Sequence, residues 1–193
     1  MVNIFKPEFL GGEYNLDNHV RIFYKKNYTN EEDWGFCDYE NKDDFFYISI
    51  NIPSLKQVKS ETKHNSDLSR MLYLSIGGHE EAHALQMSGN FTHLISWINS
   101  ITKLKLSKLK AKNWDKLWEP SEKVIVSLDK QFGNFSENLA DIAEIFTLLY
   151  KRYSKKEILY FAEMELQRIN SFGFHKKPLK QIYKKNLMNF LES

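Results

Sequence analysis

One cysteine, Cys37, is all that 193 residues contain, so no disulfide can close within the chain and a reducing compartment is expected. No apolar run approaches the roughly 20 residues that a membrane-spanning helix needs. The opening "MVNIFKPEFLGGEYNLDNHV" has neither the basic start nor the apolar stretch of a secretory leader. These absences predict a cytoplasmic protein with no membrane partner, although export without a leader would leave no trace in this pattern. An excess of one charge is missing too. With 27 Lys and Arg against 25 Asp and Glu, the formal net charge is +2, too little to predict a nucleic-acid partner from electrostatics. The local exception is "TKLKLSKLKAK", residues 102 to 112. Its lysines are interleaved with Leu104, Leu106 and Leu109, which suits the solvated edge of an amphipathic helix.

What is present is material for a core. Hydrophobic residues make up 42% of the chain and aromatics 15%, with no internal repeat or low-complexity linker, so residues 1–193 are expected to form a single domain. The first third reads as extended: "HVRIFYKK" (19 to 26), "WGFCDYE" (34 to 40) and "DFFYISINI" (44 to 52) are rich in aromatic and β-branched residues and separated by polar turns. Glu40 to Asp44 would close a hairpin between the second and third of these strands.

From about Asn65 the apolar spacing becomes helical. Leu68, Met71, Leu72, Ser75, Ile76, His79, Ala82, His83 and Leu85 share one face, and Gly89 is a natural stop. Further helices are predicted from Thr92, from Ser121, from Ser136 as N-cap, from the capping box Ser154 to Glu157, and after Pro178. Strands first and helices after predict an α+β fold in which helices pack on a small N-terminal antiparallel sheet.

The segment with the most chemistry is "SIGGHEEAHALQ", residues 75 to 86. Positions i and i+4 of a helix differ by about 40° and about 6 Å, so His79 and His83 can aim ring nitrogens at one point. Two imidazoles placed so form two corners of a tetrahedral zinc site, and Glu80, turned by about 100°, could reach a water there. By chance alone a chain of this composition would show HExxH about 1% of the time, so a third ligand is needed to support it. A third histidine six positions after His83 is ruled out, because position 89 is Gly89. His93 falls beyond that glycine. "SENLADIAEIF" offers a better candidate, since Glu137 and Asp141 are again i and i+4 on a helix that is otherwise apolar. Carboxylates on such a face need a cationic partner. Glu144 lies seven residues after Glu137 on the same face and is an alternative ligand or an acid paired with a ligand. Glu81 points elsewhere and is expected to be solvated. Gly77 and Gly78 would weaken their helix by roughly 1 kcal/mol each relative to alanine, which is tolerable if another element packs closely there.

"HEEAH" followed by "ENLAD" resembles the gluzincin metallopeptidases, most closely the neprilysin type, whose pattern is HExxH and then ENxAD. The resemblance is confined to residues 79 to 141. It implies a zincin-like fold and one Zn2+ per chain, held by His79, His83 and Glu137. Glu80 would be general base and acid, with Asp141 orienting a ligand histidine. It also implies an edge strand before the metal helix, here "FFYISINI", that pairs with an extended peptide or protein substrate. Members of this superfamily supply a late histidine or tyrosine to stabilise the oxyanion. His175 is the first choice here; Tyr150, Tyr153 and Tyr183 are weaker ones, the first two turned away from the metal face. The expected function is therefore zinc-dependent endopeptidase. The alternative is a catalytically silent zinc-binding regulatory or interaction domain, for which a base beside the metal has no use.

Overall fold

The computed structural model describes residues 3–29, 33–63, 65–90, 135–158 and 160–161. The chain begins with two short strands, β1 (Asn3–Phe5) and β2 (Tyr14–Leu16), paired antiparallel. Neither was foreseen from the sequence, because three-residue strands are too short to show a period. The three predicted strands are present as β3 (Val20–Lys25), β4 (Phe36–Lys42) and β5 (Phe45–Asn51). Lys42 faces Phe45 across the β4–β5 turn, and Asp43 and Asp44 both take positive φ, 51° and 63°. That is the geometry of a two-residue type I′ turn, whose twist matches the strands it joins.

The sheet order is β3-β5-β4, with β4 antiparallel to β5 and β3 parallel to it. Antiparallel pairing thus holds for β1–β2 and β4–β5, whereas the β3–β5 pairing departs from the all-antiparallel sheet expected. The reason is the burial demand of β5. Ile48 and Ile50 are fully buried, and so is Ile52 just beyond the strand, and a strand this apolar is best satisfied between two others. "FFYISINI" is consequently the central strand and not an edge, which corrects that expectation. The edges of the three-stranded sheet are β3 and β4.

After the sheet come α1 (Leu55–Glu61), opened by a Ser54–Gln57 capping box, and α2 (Ser66–Met87). Asn65 caps α2 by accepting from the Leu68 amide. At the other end Gly89 has φ of 79°, the Gly89 N–H reaches the Gln86 carbonyl, and the Asn90 N–H reaches the Leu85 carbonyl at 2.9 Å. This pair of bonds is a Schellman ending, which needs the left-handed conformation that glycine adopts without strain. From Ser75 onward α2 is buried on almost every side; it runs through the core instead of along its surface. α3 (Phe135–Tyr150) packs extensively against α2. Ser136 lies inside the first turn of α3 and not at its N-cap. The Ser154–Glu157 capping box forms as predicted, with Ser154 N–H to Glu157 Oε2 at 2.7 Å, and Ile158 and Phe161 beyond it are buried. The helices expected from Thr92, from Ser121 and after Pro178 lie outside the described residues, as does the lysine-rich segment. Among the described residues no helix is long and apolar enough to cross a membrane.

Candidate metal centre

Close approach of α2 and α3 is what assembles the site. A Cβ on Gly78 would overlap the Thr147 hydroxyl of α3 and stand 3.3 Å from the Ala143 carbonyl, and a Cβ on Gly77 would overlap the ring of Phe9. The two glycines therefore let one helix and the N-terminal segment pack directly on the α2 backbone, the packing needed to offset their low helix propensity.

Across this contact His79 and His83 of α2 meet Glu137, Asp141 and Glu144 of α3. His79 Nε2 and His83 Nε2 are 3.1 Å apart. The Glu137 carboxylate lies 3.4 Å from each of them, through Oε2 to His79 and Oε1 to His83. Donors bound at zinc distances of about 2.0–2.1 Å in a tetrahedron are separated by roughly 3.3 Å. Two nitrogens and a carboxylate gathered this closely are a donor set suited to such an ion. Glu137 keeps 46% of its side chain exposed, so the trio opens to solvent on its side.

Asp141 and Glu144 lie behind His79. Glu144 Oε1 is 2.9 Å from His79 Nδ1 and Asp141 Oδ1 is 3.6 Å from it, so Glu144 makes the hydrogen bond that the resemblance implied for Asp141. Glu144 faces the Nδ1 edge, opposite the point where the Nε2 atoms converge, which leaves Glu137 as the carboxylate facing that point. A second trio of His79, Asp141 and Glu144 also has close donor atoms. Its Nδ1, however, serves as a hydrogen-bond donor to Glu144.

The charges reinforce one another. Burial disfavours a charged His79, but hydrogen bonds to Glu137 and Glu144 outweigh this and raise its pKa well above the ordinary histidine value. Burial would raise Glu137, but bonding to His79 and His83 holds its carboxyl far below the usual range. Asp141 is pushed up to about 7 by burial and by Glu144 beside it. A metal bound between the Nε2 atoms would have to compete with the proton that this raised pKa keeps on His79.

Glu80 is buried at 7% exposure beneath the start of β4, where a Cβ on Gly35 would come within 2.6 Å of its Oε1. Burial raises its pKa, against the pull of His79 and His83. Glu81, expected to be solvated, is fully buried. Its carboxylate accepts from the backbone N–H groups of Glu8, Phe9 and Leu10 and from the Tyr24 hydroxyl at 2.6 Å. Burial nevertheless pushes it up to about 7 against those donors. It ties the N-terminal segment to the helix that carries the histidines, and no local pattern announces this because its partners lie some seventy residues away. Ser136 and Gln86 were also missed. Ser136 Oγ is 3.1 Å from His83 Nδ1 and 2.5 Å from Gln86 Oε1, and Gln86 Nε2 donates to the Ser136 carbonyl at 3.1 Å. Ser136 stands next to Glu137 and Gln86 three residues after His83, and that adjacency was the available signal.

His175, His93 and Tyr183 lie outside the described residues. Tyr150 sets its ring over Gly11, and Tyr153 is partly buried against the core. No protein-family model, no curated protein and no solved structure matches this chain.

Proposed function

We propose that the chain is a zinc-dependent endopeptidase of gluzincin type with a zincin-like fold. The observation that carries the reading is the convergence of His79 Nε2, His83 Nε2 and Glu137 at separations of 3.1–3.4 Å, with His79 backed by a carboxylate on its other nitrogen. Three protein ligands is the number that catalytic zinc sites use. A zinc ion held there would supply a Lewis acid for a peptide carbonyl and lower the pKa of a nearby water.

The chain's own residues do the rest. Glu80, its basicity raised by burial, takes a proton from the attacking water as the new C–O bond forms. It passes that proton to the departing nitrogen as the C–N bond breaks, leaving a carboxylate and an amine. An extended substrate would add to the edge of β4 away from β5, which among the described residues pairs with no other strand; its first residue, half-exposed Phe36, follows Gly35, which packs on Glu80. His175 remains the proposed oxyanion stabiliser.

The test joins metal analysis of the purified chain to a proteome-wide cleavage assay. About one zinc per chain is expected, and Glu80→Gln should keep the metal while abolishing cleavage. Cleavage that survives in Glu80→Gln would refute the mechanism. A wild-type chain that holds zinc and cuts nothing would favour the silent zinc-binding domain.

A further inference from the structure

We propose that Gln86 and Ser136 form a relay that fixes the tautomer of His83, making both positioning residues for the metal centre; the inference rests on the reading of that centre given above. Hydrogen-bond roles impose the relay one atom at a time. The Ser136 carbonyl oxygen only accepts, so the Gln86 atom 3.1 Å from it is the amide nitrogen. The Gln86 oxygen then faces the Ser136 hydroxyl at 2.5 Å and, being an acceptor, takes its single proton. Ser136 Oγ is left with lone pairs. At 3.1 Å from His83 Nδ1 it accepts, so the His83 proton resides on Nδ1 and the Nε2 lone pair points at His79 and Glu137. A histidine nitrogen is readied for a metal by the bond its other nitrogen makes.

The surroundings hold the relay in place. Gln86 and Ser136 are 2% and 6% exposed, so solvent has little access to substitute for either group. The Gln86 backbone is anchored by the N–H of Gly89 at the helix end.

One consequence distinguishes a relay from ordinary packing. In Gln86→Met the Ser136 hydroxyl loses Gln86 Oε1 as the acceptor of its proton; a proton turned toward His83 Nδ1 at 3.1 Å would drive the ring proton to Nε2, where it blocks the cation. Ser136→Ala merely leaves Nδ1 without a partner. Removing the residue one hydrogen bond further from the His83 ring should therefore do more harm than removing the one bonded to it. The double variant should recover to the level of Ser136→Ala.

The experiment uses the full chain and zinc alone as ligand. Affinity is read by competition with a chromogenic chelator, and the His83 tautomer by long-range 1H–15N spectra of the metal-free protein. Expected are an Nδ1–H His83 in the wild type and in Ser136→Thr, and a shift toward Nε2–H in Gln86→Met with zinc affinity about 10-fold to 100-fold weaker. The double variant should bind more tightly than Gln86→Met. A wild-type His83 protonated at Nε2, an unchanged tautomer in Gln86→Met, or a double variant weaker than both singles would overturn the relay. If Gln86→Met does not fold, Ser136→Thr against Ser136→Ala decides: equal tautomers in those two refute it. A chain that binds no zinc would sink the metal-centre reading, while the spectra would still decide the relay.

Discussion

Gly78→Ala isolates the helix contact on which the proposed metal centre depends. Alanine in the middle of a helix gains about 1 kcal/mol over glycine, so propensity alone would make the variant more stable. Packing opposes this. The new Cβ would overlap Thr147 Oγ1 and sit 2.9 Å from Thr147 Cβ, whereas ordinary contact begins near 3.4 Å. Thr147 is fully buried and bonded to the Ala143 carbonyl at 2.9 Å, so it has little room to turn. Relief requires α2 and α3 to separate by roughly 0.5–1 Å, and overpacking of this kind costs about 1–3 kcal/mol. Net stability should therefore fall by up to about 2 kcal/mol. The larger effect is on the ligands, because a shift of about 0.5 Å is enough to spoil a metal site. Zinc affinity should drop at least tenfold, about 1.4 kcal/mol, read by chelator competition beside thermal unfolding. Thr147→Ala added to Gly78→Ala removes the overlapping hydroxyl and should restore part of the affinity. Wild-type zinc affinity in Gly78→Ala would refute the claim that this contact sets the ligand spacing.

Glu144→Ala should weaken zinc binding by about 10-fold to 100-fold as the support of His79 is lost, and Glu137→Ala should weaken it further; the reverse order would make Glu144 the ligand. Because the metal-free His79 holds its proton to a higher pH than an ordinary histidine, zinc must compete with that proton. Apparent affinity should accordingly keep rising as pH is raised past the ordinary histidine value, whereas a plateau at that value would show that His79 is not raised. Glu81→Gln places an amide donor against backbone N–H groups that now meet a carboxylate. Urea unfolding should show a loss of about 3 kcal/mol, and a loss within experimental scatter would mean that the N-terminal segment is held by other contacts.

How much was legible depended on the range of the interaction concerned. The three longer strands, the start of α2 at Asn65, its stop at Gly89 and the Ser154–Glu157 box follow from alternation, caps and turn residues within a few positions of one another. The same holds for the i, i+4 placement of His79 with His83 and of Glu137 with Asp141. The short β1 and β2 carried no period. The parallel β3–β5 pairing and the central place of β5 follow from which strand has most apolar surface to hide on both faces, a comparison among segments.

The amino-acid sequence by itself determined which side chains share a helix face, because the 3.6-residue turn is a local property of the backbone. It did not determine which faces meet. That Glu144 and not Asp141 lies closest to His79, that Ser136 turns its hydroxyl to His83 instead of capping a helix, and that Glu81 is buried against residues 8–10 were decided by the packing of α2 against α3 and the N-terminal segment. Those contacts join residues fifty to seventy positions apart, and only the folded chain brings their donors and acceptors within bonding distance.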